Sequence, residues 1–435
     1  MPNLTQIMMT LAGLAATGAT ERPSGETREA QQQRILTGIN NQLADTKLAT
    51  GGEWQAIWVG LTQDRANMVY IAKAAPPMGG PRAFAVCLRG TVGGSPIDTA
   101  EDMNVGTLLP FEVGGTQGKI SQGAMEAFTE IVMGTDLLGA LVGASMPVPP
   151  DLFGPTIYVT GHSLGGALAT TVSLFLAAQS FLWGLFQPSF QVYTFAAPTA
   201  GDEGFAQGFT ERFPDATCVY NYYDLVPYAW ESLDSIYDNP SKNPFYPGAS
   251  AMPPGPGPTA SPVNEIGQII KGIAGKTKGN QYVQPPRKPA LNFPLQSYVS
   301  PYPPGYSSIE EFVLQVGFQH SNNNYLNLLA AQPLPSVAPV VKSLDPTSGP
   351  ATGGTPVTIT PGDGVLFSSD CVVDFGVVPA TAVTVAQDGS SITAVSPAGA
   401  GIVDVRVTNP YGTSPVVPNS GSPTYNDRFS FTRLG

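Results

Sequence analysis

A short apolar run, Thr156 to Thr160, leads into a glycine-flanked turn and then into an uncharged, mainly apolar stretch, Leu164 to Phe186. The first run has the length of a strand, and the second is long enough for a helix. Neither can leave more than one side in water, so the chain must build a sheet with helices laid over it. The second stretch also has the length to span a bilayer. Thr170, Thr171, Ser173, Gln179 and Ser180 interrupt it, and no basic flank precedes it. The expectation is therefore a helix buried in an α/β core, with no transmembrane span.

The neighbouring sequence extends the pattern. Glu53 to Leu61, Met68 to Ala72, Ala83 to Leu88, Gln191 to Ala196 and Thr217 to Tyr222 read as strands. Residues 26–45 and Gly204 to Phe213 read as helices. Short apolar strands alternating with helices indicate a mostly parallel sheet covered on both faces. Of the 43 prolines, 15 fall between Pro240 and Pro304, where Pro253, Pro254, Pro256 and Pro258 alternate with glycine. That composition marks loop or polyproline II backbone, and we read about 240–307 as an insertion holding one helix, Asn264 to Ile273. A helical stretch, Ile309 to Leu329, then closes an expected domain 1–335.

After the linker Gln332 to Pro339 helical periodicity stops. Pro356 to Thr360, Cys371 to Phe375, Ala380 to Val385 and Ile402 to Thr408 are β-rich runs bounded by turn residues. Short strands at that spacing predict a separate all-β sandwich over 336–435.

Composition narrows the function. The formal charge of −12 repels nucleic acid and anionic membrane surfaces, so no nucleic-acid partner is expected. Charged residues are 12% of the chain, about half the usual share of roughly 25%, while apolar content is ordinary, which describes a folded protein with a large core. Cys87, Cys218 and Cys371 lack both a disulfide framework and metal-ligand spacing. Cys87 and Cys218 lie in apolar runs and read as buried, inert thiols. The stretch Met1 to Thr20 is weakly apolar but has no Lys or Arg, which argues against a secretory signal. Cytoplasmic residence and export by another route both stay open.

Gly161-His162-Ser163-Leu164-Gly165 fits Gly-x-Ser-x-Gly. With 49 glycines in the chain the bare pattern arises by chance on the order of 0.3–0.5 times, so its context decides. A strand leads in, an apolar helix leads out, and the glycines permit the tight turn that exposes a strained serine. The helix N-terminus offers backbone N–H groups to a developing oxyanion. A serine hydroxyl needs a base within hydrogen-bond reach. The chain has two histidines. His162 sits in the turn itself, where its side chain should point away from Ser163, which leaves His320. The orienting acid is expected after a strand end between Ser163 and His320. Asp224 follows the strand Thr217 to Tyr222, with Asp234 and Asp238 as fallbacks, while Asp202 reads as a helix N-cap.

These segments resemble the class 3 lipase family of the α/β-hydrolase fold. The resemblance rests on Thr160 to Ala167, Tyr193 to Asp202, Asn221 to Pro227 and Leu88-Arg89-Gly90-Thr91, and covers roughly residues 54–230 and the surroundings of His320. It implies Ser163, Asp224 and His320 as a triad, and Thr91 and Leu164 as oxyanion donors. It also implies a lid over Val92 to Phe111, with Ile97, Met103, Leu108, Leu109 and Phe111 as substrate contacts and without the tryptophan often found there. The C-terminal part resembles an IPT/TIG immunoglobulin-like module through Leu344 to Pro350, Gly353 to Ile359, Val373 to Gly376 and Ile392 to Pro397. Its 7 Asp against 4 Lys plus Arg disfavour binding to DNA.

The expected activity is hydrolysis of acyl esters by a serine carboxylester hydrolase, a lipase or esterase, that needs no metal or organic cofactor. The alternatives are a surface or adhesion protein with a non-catalytic hydrolase scaffold, and a hydrolase of phospholipids, polyesters or aromatic esters. The C-terminal module is a candidate binder of a polymer or surface ligand.

Overall fold

The computed structural model describes residues 2–19, 27–64, 66–75, 82–90, 104–146, 153–221, 224–232, 262–285, 292–295, 316–334, 339–362, 367, 371–409, 412–414 and 426–432. The chain divides into two compact units, one of residues 1–15 and 40–334, the other of residues 16–39 and 335–435.

The first unit is built on a seven-stranded sheet. In chain order its strands are β1 (Trp54–Leu61), β2 (Met68–Ala74), β3 (Ala83–Leu88), β6 (Thr156–His162), β7 (Ser189–Phe195), β8 (Thr217–Asn221) and β9 (Asn292–Leu295), and they lie side by side in that order. β1, β2 and β3 pair antiparallel, and β3, β6, β7, β8 and β9 run parallel. The sheet is thus mostly parallel, as expected, with an antiparallel edge. A separate ribbon, β4 (Leu108–Phe111) with β5 (Gly118–Ser121), lies between β3 and β6 in sequence.

The element order of the helices is α1 (Leu4–Leu14), α2 (Arg28–Leu43), α3 (Gln122–Gly134), α4 (Leu137–Ser145), α5 (Leu164–Ala178), α6 (Glu203–Arg212), α7 (Pro262–Gly275) and α8 (Asn322–Leu328). The uncharged stretch after Ser163 is α5, which stops at Ala178 and is followed by a 3-10 turn, Ser180–Trp183. No single helix among the described residues is long and apolar enough to cross a membrane. α5 is buried along nearly its whole length. Its three mid-helix hydroxyls are satisfied internally: Thr170, Thr171 and Ser173 donate to the carbonyls of Ala167, Leu168 and Thr170 at 2.6, 2.9 and 3.0 Å. Cys87 and Cys218 are free and buried, and burial pushes both thiols up to about 12.

Two segments of the first unit do more than the sequence indicates. The weakly apolar N-terminal stretch forms α1, opened by a capping box between Asn3 and Gln6. It buries Met8, Met9, Leu11 and Leu14 and accepts hydrogen bonds from the sheet, from Tyr70 Oη to the Leu11 carbonyl and from Thr160 Oγ1 to the Met8 carbonyl. The proline-rich insertion contributes α7 and then β9, the last strand of the sheet, with Pro294 opposite Tyr220. Proline is tolerated there because β9 is an edge strand.

The second unit contains the all-β part. One antiparallel sheet has the order β10 (Val341–Asp345), β12 (Pro356–Pro361), β16 (Ile392–Val395), β15 (Val383–Val385). The other has the order β11 (Ser348–Pro350), β19 (Arg428–Thr432), β17 (Gly401–Asn409), β13 (Val372–Phe375), β14 (Val378–Pro379), with β18 (Gly412–Thr413) also on β17. Val357, Ile359 and Ile392 from the first sheet and Val373, Phe375, Val405, Val407 and Phe429 from the second form one buried cluster. This is the alternating, inward-facing core of a sandwich.

Candidate active site

Ser163 stands between β6 and α5 with φ 59° and ψ −134°, a left-handed φ that a non-glycine residue adopts only when its surroundings enforce it. The enforcement is visible. The Ser163 amide donates to the Phe195 carbonyl of β7 at 2.9 Å, and the Ser163 carbonyl accepts from Gly166 N at 2.8 Å. A Cβ on Gly165 would run into the Leu88 carbonyl of β3, and one on Gly161 into the Gly165 carbonyl. Strand, turn and helix can close this tightly only with glycine at both positions. The N–H of Leu164 belongs to the first turn of α5, where no intrahelical acceptor exists, and the chain leaving β3 passes beside it: a Cβ on Gly90 would lie 3.8 Å from Leu164 N.

Asp224 follows β8. Its carboxylate is fully buried, and Oδ1 accepts from the amide of Val226 at 3.0 Å. His320 ends a helical turn over 316–320, just before α8, whose N-cap Ser321 accepts from Asn324 N at 3.2 Å. His320 Nδ1 lies 2.8 Å from Asp224 Oδ2, and Nε2 lies 2.8 Å from Ser163 Oγ. The structure therefore brings Ser163, His320 and Asp224 into one hydrogen-bonded chain across 157 residues of sequence. With Nδ1–H donated to the carboxylate, Nε2 carries the free lone pair toward the serine proton.

A buried amide cluster holds the histidine in place. Asn221, the last residue of β8, donates from Nδ2 to the Gln319 carbonyl at 3.0 Å and to Gln319 Oε1 at 2.7 Å, and Asn324 Nδ2 donates to the same carbonyl at 3.1 Å. The residue before His320 is thus tied to the strand that carries Asp224. Tyr325 Oη reaches Asp224 Oδ2 at 2.7 Å. Sequence reasoning singled out none of Gln319, Asn324 and Tyr325. The partners that tie Gln319 and Tyr325 to the acid strand are about a hundred residues away in the chain, and an amide or phenol near a histidine carries no pattern of its own.

The His162 ring packs against the His320 ring at 4.7 Å between centroids, and meets Tyr325 edge-on at 5.4 Å. Burial, with the His320 ring beside it, holds the His162 imidazole well below its usual value. It is therefore a neutral wall of the site.

The remaining expected residues fall in several places. Thr91, Ile97 and Met103, and the fallback acids Asp234 and Asp238, lie outside the described residues. Leu108 and Leu109 are half-buried on β4. Phe111 is 1% exposed and packs edge-on against Phe128 and Phe205 at 5.2 and 5.6 Å, within the hydrophobic core. Asp202 is the N-cap of α6, accepting from Phe205 N at 3.0 Å. Arg89, next to Gly90, is buried and donates to the Ala66 carbonyl at 2.5 Å, and its burial lowers the guanidinium to about 10. A cavity of about 240 Å3 opens between α5 and the acid loop, lined by Thr170, Thr194, Tyr220, Tyr228 and Glu231 among others. Gln284, from within the insertion, braces it by donating to the carbonyls of Ala197 and Pro227. Among the described residues no group of three or more His, Cys, Asp or Glu has the arrangement of a metal site.

Comparison with known proteins agrees with the architecture. Residues 85–231 match the family model of class 3 lipases, and residues 339–431 match that of the IPT/TIG domain. A secreted mono- and diacylglycerol lipase 1 of Fusarium solani is 31% identical over 108 residues, which are 25% of this chain and 28% of that protein. The chain thus spans little more than a quarter of that curated relative. The crystal structure of M37 lipase superposes with a TM-score of 0.57 at 22% identity, covering 75% of this chain and 92% of that one, which establishes a shared fold.

Proposed function

With a class 3 lipase region at 85–231 and an IPT/TIG domain at 339–431, we propose that this protein is a serine carboxylester hydrolase that cleaves acyl esters through a Ser163–His320–Asp224 triad. The observation that carries the reading is the pair of 2.8 Å contacts on the two nitrogens of His320, one to Ser163 and one to Asp224, at the N-terminus of α5.

In this reading Ser163 Oγ attacks the ester carbonyl carbon while His320 Nε2 takes its proton. The carbonyl π electrons move to oxygen, and the oxyanion faces the Leu164 amide at the positive end of the helix. Thr91, one residue beyond Gly90, is the proposed second donor, and each such donor is worth about 10²–10³ in rate. The intermediate collapses, the C–O bond to the alcohol breaks, and the imidazolium returns its proton to the leaving oxygen. Water then repeats the sequence on the acyl-enzyme and releases the acid. Asp224 keeps the Nδ1–H tautomer and stabilises the imidazolium. We place the catalytic machinery in the 1–335 part and assign the sandwich an accessory role, with a polymer or a surface as its ligand.

The test is hydrolysis of p-nitrophenyl esters from acetyl to palmitoyl by the wild type and by Ser163→Ala. Turnover by the wild type alone supports the reading, and the preferred chain length separates esterase from lipase. Equal rates in the two proteins would refute Ser163 as the nucleophile.

A further inference from the structure

Tyr325 is buried in α8 and is used by none of the steps above. Its oxygen accepts from the backbone N–H of Asn221 at 2.9 Å and lies 2.7 Å from Asp224 Oδ2. The amide occupies it as an acceptor, so its single proton points at the carboxylate. Asp224 Oδ2 therefore receives two donors, the phenol and His320 Nδ1. These two compete for the same negative charge.

We infer that Tyr325 is a positioning residue that sets the proton affinity of the base: by donating to Asp224 Oδ2 it tempers the carboxylate, and through the carboxylate it makes His320 easier to deprotonate. The inference takes its catalytic meaning from the ester-hydrolase reading. A carboxylate that already accepts a strong hydrogen bond attracts the neighbouring imidazolium less. Removing the phenol proton returns that charge to His320, which then holds its proton to higher pH. Burial, together with the Asp224 charge, keeps the phenol well above its usual value, so it remains a donor throughout the working range.

Among the described residues, the other titratable groups around the pair are His162, whose ring faces both His320 and Tyr325, and Tyr228, which acts on Tyr325 from the 3-10 turn Val226–Tyr228. Neither changes when only the hydroxyl is removed. Phenylalanine at 325 keeps the ring edge-on to His162 and deletes the donor alone.

The experiment uses the full chain labelled with [13Cε1]histidine, where two histidines give two resonances. His162→Asn assigns them. In Tyr325→Phe the His320 midpoint should rise by about half a pH unit to one unit. The acid limb of kcat/KM for a p-nitrophenyl ester should move up with it. The same substitution strips Asn221 N–H of its acceptor and lowers stability. A second protein therefore carries 3-fluorotyrosine at position 325, an isosteric and more acidic donor that should move the midpoint down. Opposite shifts in the two proteins support the inference. A His320 midpoint that stays at the wild-type value in the folded Tyr325→Phe protein, or in the fluorotyrosine protein should Tyr325→Phe not fold, overturns it, even if kcat falls. Because the resonance is read without substrate, midpoints that move in a protein with no esterase activity would uphold the coupling while defeating the hydrolase reading.

Discussion

Replacing Asp224 by asparagine tests the hydrogen-bonded chain at its most buried point. The carboxylate accepts on both oxygens, Oδ2 from His320 and Tyr325 and Oδ1 from the Val226 amide. An amide has one accepting end, so it has two ways to sit and both fail. With its oxygen toward His320, its NH₂ opposes the Val226 N–H donor to donor, which costs about 1–3 kcal/mol. The histidine tautomer survives there, but the neutral amide no longer offsets the imidazolium, an attraction of about 4 kcal/mol for charges about 4 Å apart at an effective dielectric of 20. With its NH₂ toward His320, Nδ1 must become the acceptor, and Nε2–H then points at Ser163 and cannot take its proton. The first arrangement costs about 10³ in rate and the second about 10⁴. We expect kcat/KM on a p-nitrophenyl ester to fall about 10³–10⁴-fold, with the thermal midpoint showing a folded protein. A loss under about tenfold in that folded protein would refute the reasoning.

Other expectations follow from the same geometry. The buried His162 has its folded pKa below the unfolded value, so below about pH 6.5 the unfolded chain binds a proton that the native state refuses. This contribution lowers stability as pH falls, by up to about 1.4 kcal/mol per unit. Urea unfolding at pH 7 and pH 5 should show a shallower loss for His162→Gln than for the wild type, and equal slopes would contradict it. Gly165→Ala drives a Cβ into the Leu88 carbonyl, a backbone contact that cannot rotate away, and should cost about 3 kcal/mol or more, read by denaturant unfolding. Deleting residues 336–435 should leave esterase activity above that of Ser163→Ala, because the three residues of the proposed triad lie in the first unit. Activity at the level of that variant would show that the sandwich is needed for catalysis.

Much of this architecture is local and therefore readable from the chain. The strand at 156, the glycines around Ser163 and the uncharged helix behind them declare themselves because a fully buried element excludes charge and a tight turn excludes side chains. The β-strands of the C-terminal part show through their alternation and turn residues. Asp202 as a cap and the two buried thiols were legible for the same reason: each depends on its near neighbours. Other features depend on which residues meet across the sheet. Nothing in the pattern of Met1 to Thr20 says that it packs on the sheet as α1, and a proline-rich insertion gives no sign of supplying β9, because an edge strand needs only a free row of partners. Phe111 ends the stretch that the resemblance implies is a lid, and its packing on Phe128 and Phe205 is visible only in the fold.

Local pattern supplies the chemistry on offer: one serine in a glycine-flanked turn, two histidines, an acid after a strand, and a second, all-β part. How those groups address one another depends on the folded chain. It laid His162 against His320, tied Gln319 to Asn221, and brought the Tyr325 hydroxyl to Asp224. The reason is physical: a buried hydrogen bond is fixed by distances of 2.7–3.0 Å between groups about a hundred residues apart, and no local pattern encodes a distance.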